Sequence, residues 1–418
     1  MRLPRLFPAA VVPLFAFALT ARADNWPGWR GPTGQGFSTE KNLPVKWSAT
    51  ENVKWKIPLP DTGNSTPIVW GEKVFLTQAT EKGKKRSLIC FARKDGSKLW
   101  EKTVEYDEAE PKHDTNTYCA ASPATDGERV VVSHGSAGVF CYDLAGKELW
   151  KRDLGPCHHI WGNAASPVIY KNLVILNFGP NEKTFLIAMN KENGKDVWKV
   201  DEPGKKASEY YGSWSTPVIA DEGGHAELVM SWAGAIKSYN PDSGGLLWSC
   251  HGLEKDKAND RLTYTSPLVG NGVVIGMAGF GGAAIGVKTG GTGDVTDSHR
   301  LWRVASNPQR IGSGVIIGDH AYVVNEESVA CLALKTGKEA WDEKLPSRSW
   351  TSIVHADGKL YLVTQSGETI VFAPNPKEFE QIARNKLDGA TTRASIAVSD
   401  GELFIRTYKH LWCITEKK

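Results

Sequence analysis

Apolar and polar residues alternate along this chain in short runs, and the runs are parted by Asp-Gly, Asn-Gly or Lys-x-Gly turns. Period-two alternation predicts half-buried β-strands, and Asp-Gly between two such runs predicts a tight hairpin. DGERVVV at 126–132, DGKLYLV at 357–363 and DGELFIR at 400–406 show it most clearly. The pattern also repeats at long range. A unit opens with Ser or Thr before Pro and an apolar run: STPIVW at 65–70, SPATDGERVVV at 122–132, SPVIYKNLVIL at 166–176, TPVIADEGGHAELVM at 216–230 and SPLVGNGVVIG at 266–276. It closes with Gly-x-x-x-Trp: Gly96–Trp100, Gly146–Trp150, Gly194–Trp198, Gly244–Trp248 and Gly337–Trp341, with Arg300-Leu301-Trp302 standing in after a long fifth-unit insertion. Trp100, Trp150, Trp198, Trp248 and Trp302 lie 50, 48, 50 and 54 residues apart.

Four short strands at this period predict an all-β propeller of four-stranded antiparallel blades. One small sheet cannot bury both faces, so blades must stack around an axis, with each terminal tryptophan packed between neighbours. Seven units are counted at 64–100, 118–150, 161–198, 212–248, 264–302, 311–341 and 349–387. A three-strand remainder at 393–415 lacks its outer strand. NVKWKIPL at 52–59 carries Trp55 45 residues before Trp100, where a repeat tryptophan belongs. This phrase is expected to complete the last blade and close an eight-bladed ring, leaving no open sheet edge. Should 377–387 be a helix, the ring contracts to seven.

Seven cysteines do not form a disulfide pattern. Cys90, Cys141, Cys331 and Cys413 occupy one repeat position, filled by Ala188, Ser238 and Ala373 in the third, fourth and seventh units. That marks a tight small-residue site, where a free thiol behaves as a small hydrophobe. Cys119 and Cys157, near unit starts, leave a bridge open.

The first 23 residues read as a cleaved signal peptide: Arg2 and Arg5, an apolar run from Leu6 to Leu19, then Ala21 and Ala23 in a small-x-small site. No cysteine follows for lipid attachment, so a periplasmic or secreted product is expected. Residues 24–50, with Trp26, Trp29 and Trp47, match no blade and predict an irregular tail packed on a single propeller domain at 51–418. Removing Arg2, Arg5 and Arg22 with the signal turns 50 basic against 47 acidic residues into 47 against 47. That balance argues against nucleic acid, whose binders need a basic excess or face. No later run of eighteen apolar residues suggests a membrane span, and a monomer is expected. GGTGDVTDSHR at 290–300 holds Asp294 and Asp297, but reads as an exposed hairpin rather than a calcium loop.

Function must lie in the crossings between blades, whose residues the repeat does not require. Four carry an arginine near one position: Arg261, Arg310, Arg348 and Arg393. The other side offers His113, His158, His159, Trp161, Tyr211, Trp214 and Tyr264, and Trp350 follows Arg348. If all face the axis, they form a funnel with a cationic and an aromatic–histidine half. It would suit a protein or peptide partner or a small anionic ligand, because guanidinium forks grip carboxylates. The alternative is that each staples one blade to the next. No hydrolase elbow, phosphate loop or zinc pattern is present, and His158–His159 lacks a third ligand.

STPIVW, SYNPDSGGLLW and CLALKTGKEAW resemble the repeat of the pyrroloquinoline-quinone-like propeller family over roughly residues 52–415, and NWPGWRGPTGQG with GGTGDVT resembles a secreted bacterial subgroup. The resemblance implies one of two functions. One is that of quinoprotein dehydrogenases, which hold the quinone and calcium at the axis and oxidise alcohols or sugars. The other is a non-catalytic scaffold like the outer-membrane assembly factor B. The chain lacks the adjacent cysteine pair of the dehydrogenases, and Asp114, Glu209 and Asp260 are only scattered calcium candidates. A binding or scaffold propeller without catalytic residues, metal or cofactor is therefore expected, with the quinone- and calcium-dependent enzyme as the alternative.

Overall fold

The computed structural model describes residues 25–181, 183–202, 210–222, 224–254, 261–308 and 310–416. The predicted signal peptide, Glu209 and Asp260 lie outside them. Among the described residues the chain forms an eight-bladed β-propeller of four-stranded antiparallel blades. The second to fourth strands of blade 1 are Lys73–Thr80, Lys85–Ala92 and Lys98–Glu105. The eighth blade is completed by Val53–Pro58, antiparallel to His410–Thr415 with Trp55 opposite Cys413. Residues 377–387 are not helical: Gln381–Lys386 is the outer strand of blade 7.

The Gly-x-x-x-Trp phrase is a two-part joint. A Cβ on Gly96, Gly146, Gly194, Gly244 or Gly337 would sit within 3 Å of Trp55, Trp100, Trp150, Trp198 or Trp302, so each glycine lies under the preceding blade's indole. All five adopt positive φ as well, which glycine alone does without strain. The indole N–H then donates into the same neighbouring blade: Trp55 to Arg93 O at 2.8 Å, Trp150 to Lys191 O at 2.8 Å, Trp302 to Leu334 O at 2.8 Å. Trp248 departs from the rule, donating to Glu227 Oε2 at 2.9 Å. The cause is the fifth-blade insertion. Gly293–Asp294 adds a fifth, parallel strand to blade 4 beside Trp248 and Ser249, and Val295 is buried there. GGTGDVTDSHR is thus an inter-blade patch, with Asp294 accepting from Thr296 N and Oγ1 at 2.9 and 2.6 Å.

Each repeat tryptophan faces the small-residue position across the outer hairpin, Cys90 opposite Trp100, Cys141 opposite Trp150 and Cys331 opposite Trp341. The seventh-unit assignment needs correcting. Its equivalent is Val371, opposite Ala383, because this blade exchanges the large and small partners. All seven cysteines are buried free thiols, Cys119 and Cys157 among them.

The Ser/Thr that opens each unit forms a belt around the axis. Thr66 N donates to Ser122 Oγ (2.9 Å), Ser122 N to Ser166 Oγ (3.0 Å) and Ser166 N to Thr216 Oγ1 (3.0 Å). Thr216 N continues to Ser266 Oγ (3.1 Å), Ser266 N to Ser313 Oγ (3.0 Å) and Ser313 N to Ser352 Oγ (3.0 Å). Ser352 N donates to Ser395 Oγ (2.9 Å), and Ser395 N returns to Thr66 Oγ1 (3.1 Å). Eight blades close one cyclic set of bonds. Each would otherwise leave a buried amide unsatisfied.

Candidate binding site at the propeller axis

The tail blocks one end of the axis. Trp26 bridges Val69 of blade 1, and Pro27 O accepts from Thr125 N of blade 2 at 2.7 Å. Gln35 Oε1 accepts from Val269 N of blade 5 at 2.8 Å, and Arg30 Nη1 donates to Ser313 O of blade 6 at 3.0 Å. Ser38 N then donates to His355 O of blade 7 at 2.9 Å, and the Glu40 carboxylate accepts from Gly401 N of blade 8 at 2.6 Å. The far side of this plug presents Trp29 to a cavity of about 370 Å³.

Seven of the twelve predicted residues line that cavity: His113, Trp161, Trp214, Tyr264, Arg348, Trp350 and Arg393. The aromatic side is built of two runs of rings. His113 lies 4.4 Å from Trp161, Trp161 6.4 Å from Phe280, and Trp214 5.2 Å from Tyr264, between ring centroids. Trp214 is held by donating to Gly162 O at 2.8 Å. Eight equal steps put the Trp161 crossing, between blades 2 and 3, diametrically opposite the Trp350 crossing, between blades 6 and 7.

On the charged side, the Arg393 guanidinium stacks over Trp350 at 4.4 Å and Tyr408 at 5.7 Å. One Nη donates to Thr115 O and to Tyr408 Oη, the latter at 2.9 Å, and its buried Nε has no partner among the described residues. Arg348 is open, 61% exposed, beside Glu326 at 3.8 Å and Glu327 at 3.2 Å. Trp350 Nε1 donates to Glu326 Oε1 at 3.1 Å.

The other five predicted residues do not line the cavity. Arg310 is buried, held by Asn325 Oδ1 at 2.6 Å and Asn307 Oδ1 at 3.0 Å, and desolvation lowers its pKa to about 10. It staples its own blade. Arg261 and Tyr211 sit opposite one another in a short parallel ladder, Tyr211–Ser213 against Arg261–Thr263. His159 packs edge-on behind Trp214, with centroids 5.0 Å apart, and His158 is half-buried outside the lining. The expected four-arginine half is therefore two arginines and a carboxylate.

The sequence reading missed Trp29, Phe280 and Glu326. Phe280 and Glu326 sit at hairpin tips with φ of 54° and 39°, a region non-glycine residues rarely adopt and one enriched at functional sites. Neither lies in a crossing. Trp29 belongs to the non-repeating tail.

The residues present do not fit calcium-bound pyrroloquinoline quinone. A hard dication takes six to eight oxygen ligands. Among the described lining residues Glu326 is the only carboxylate, and it is shared with Trp350 and Arg348. The Asn64 and Asn116 carbonyl oxygens accept from Tyr408 Oη at 3.1 Å and Thr117 N at 2.8 Å. No cluster of three or more metal-ligating side chains occurs among the described residues.

A family model described as outer membrane protein assembly factor BamB matches residues 84–343 and 291–391. Among solved structures, BamB from Moraxella catarrhalis superposes with a TM-score of 0.61 at 14% identity, over 85% of this chain and 98% of that one. A europium-containing methanol dehydrogenase gives 0.68 at 11% identity over 93% and 90%. The quinohemoprotein alcohol dehydrogenase of Comamonas testosteroni gives 0.66 at 11% identity over 96% and 82%. These likenesses show the fold. The quinoprotein alcohol dehydrogenase PedH of Pseudomonas putida is 32% identical over 127 residues, 26% of this chain, and the match spans only 19% of that relative's length. No helix among the described residues is long and apolar enough to cross a membrane.

Proposed function

The chain belongs to the propeller family described as outer membrane protein assembly factor BamB, and from that premise we propose that it is an exported, non-catalytic binding propeller whose axial funnel takes a small carboxylate-bearing ligand. One observation carries this reading: two arginines from neighbouring crossings reach a blind, aromatic-walled cavity of about 370 Å³. Arg348 is 61% exposed, and the Arg393 guanidinium lines the cavity against the Trp350 indole. A cavity of that size suits a small molecule. Low-dielectric walls strengthen a charge-assisted bond. The signal pattern at 1–23 supports export.

The PedH match favours a second reading, a quinone- and calcium-dependent oxidoreductase, but the donor set described above offers calcium too few oxygens. The two readings separate in calorimetry. Benzoate or glucuronate should bind wild type, and Arg348→Ala should weaken it about tenfold, the value of one charged hydrogen bond. Pyrroloquinoline quinone with calcium should give no saturable heat. Micromolar quinone binding with dye-linked alcohol oxidation would overturn the proposal.

A further inference from the structure

Glu326 is poorly placed for a site that holds only anions. Its carboxylate lines the same cavity as Arg348 and Arg393, within 3.8 Å of the Arg348 guanidinium. A ligand with several negative charges meets repulsion there. A ligand offering hydroxyl donors gains an acceptor. Trp350 Nε1 takes one acceptor site of the Glu326 carboxylate, which has about four. The polar wall therefore holds both donors and an acceptor within a single pocket.

The apolar walls constrain the ligand's shape. Trp161 and Trp350 belong to opposite crossings, and Trp214 and Tyr264 extend the first wall. Indole faces carry a negative quadrupole that attracts the weakly positive C–H face of a saturated ring. A sugar ring has such a face and an edge of hydroxyl groups. Asn64, Asn116 and the belt residues Ser166, Thr216, Ser352 and Ser395 also line the cavity, but their polar groups are bonded within the protein, so Glu326 and the two arginines are the polar groups a ligand meets.

Resting on the carboxylate-binding reading above, we infer that the ligand class of this funnel is an acidic sugar, a pyranose bearing one carboxylate. Its carboxylate meets the guanidinium groups of Arg348 and Arg393, a hydroxyl donates to Glu326, and the ring lies against the indoles.

Saturation-transfer NMR with glucuronate, glucose and benzoate as probes tests this on the full protein. Glucuronate should bind about tenfold more tightly than glucose. Glu326→Gln should weaken glucuronate several-fold but not weaken benzoate, which has no hydroxyl to donate and is relieved of a repulsion, whereas Arg348→Ala should weaken both acids. Glu326→Asp, which keeps the charge but withdraws the oxygen, should behave like Glu326→Gln. Wild-type thermal melting of each variant ensures that loss of binding is local. If benzoate and glucuronate bind alike and ignore Glu326, the acidic-sugar inference falls while the carboxylate reading stands. If glucose matches glucuronate, the acid requirement falls. If neither acid binds, both readings fall.

Discussion

Replacing Trp55 with alanine removes the bolt that joins the N-terminal strand to both ends of the ring. Trp55 is 8% exposed, packs on Gly96 of blade 1 and lies 6.0 Å from Phe404 of blade 8 between ring centroids. Truncating a buried tryptophan costs about 3–5 kcal/mol. The Arg93 carbonyl also loses its 2.8 Å indole donor, adding roughly 1–3 kcal/mol if water does not replace it. The sum is therefore about 4–8 kcal/mol. Trp341 is a built-in comparison. It makes the same bond, to Asn375 O at 3.0 Å, but is only half-buried, and its blade pair does not close the ring. Trp341→Ala should cost about half as much. Urea unfolding followed by tryptophan fluorescence and circular dichroism measures both. The two probes should separate in Trp55→Ala, because the outer strand of blade 8 is loosened, blade 1 loses the face packed on it, and cooperativity is lost. A loss below about 1 kcal/mol for Trp55→Ala, or one no greater than for Trp341→Ala, would refute this account of closure.

Ser313→Ala breaks the hydroxyl belt by leaving the buried Ser266 amide without its acceptor. It should lower stability by about 1–3 kcal/mol in urea unfolding, whereas Ser313→Thr retains the bond and most of the stability. Burial holds His134 near pKa 3, below its ordinary value of 6.5. Its contribution is complete above about pH 6.5 and is lost as pH falls toward 3, because unfolding then takes up a proton. His134→Phe should flatten stability across that window, and an unchanged pH slope would count against it. Burial also pushes the thiols of Cys90, Cys141 and Cys157 up to about 12. A disulfide-exchange reagent should therefore find almost no reactive thiol in the native protein and seven after denaturation without reductant.

The blades were legible because every one must solve the same packing problem, so tryptophan and its small partner recur at a fixed period. What the glycine contributes was hidden. Gly96 is shaped by Trp55 of another blade, and period alone does not reveal contacts between units. The Ser/Thr-Pro openings were visible as markers, but their hydroxyls act on the next blade's amide, a geometry that exists only in the closed ring. Blade 7 escaped the pattern because Val371 and Ala383 exchange large and small.

The site was less legible. Arg310 and Arg348 occupy comparable crossings, yet Asn307 and Asn325 turn one inward while the other stays exposed beside Glu326. A single sequence cannot say which way a repeated arginine points. Trp29, Phe280 and Glu326 reach the funnel from a tail and two hairpin tips, outside the repeat positions that carried the reading. Their positive-φ signal, in Phe280 and Glu326, became visible only with backbone geometry.

The most direct test of the axial binding claim is the affinity of glucuronate for wild type and for Arg348→Ala, measured by calorimetry on proteins with matched melting behaviour. The account predicts one saturable site in wild type and about tenfold weaker binding in the variant. Equal affinity in the two proteins, or no binding to either, would contradict it.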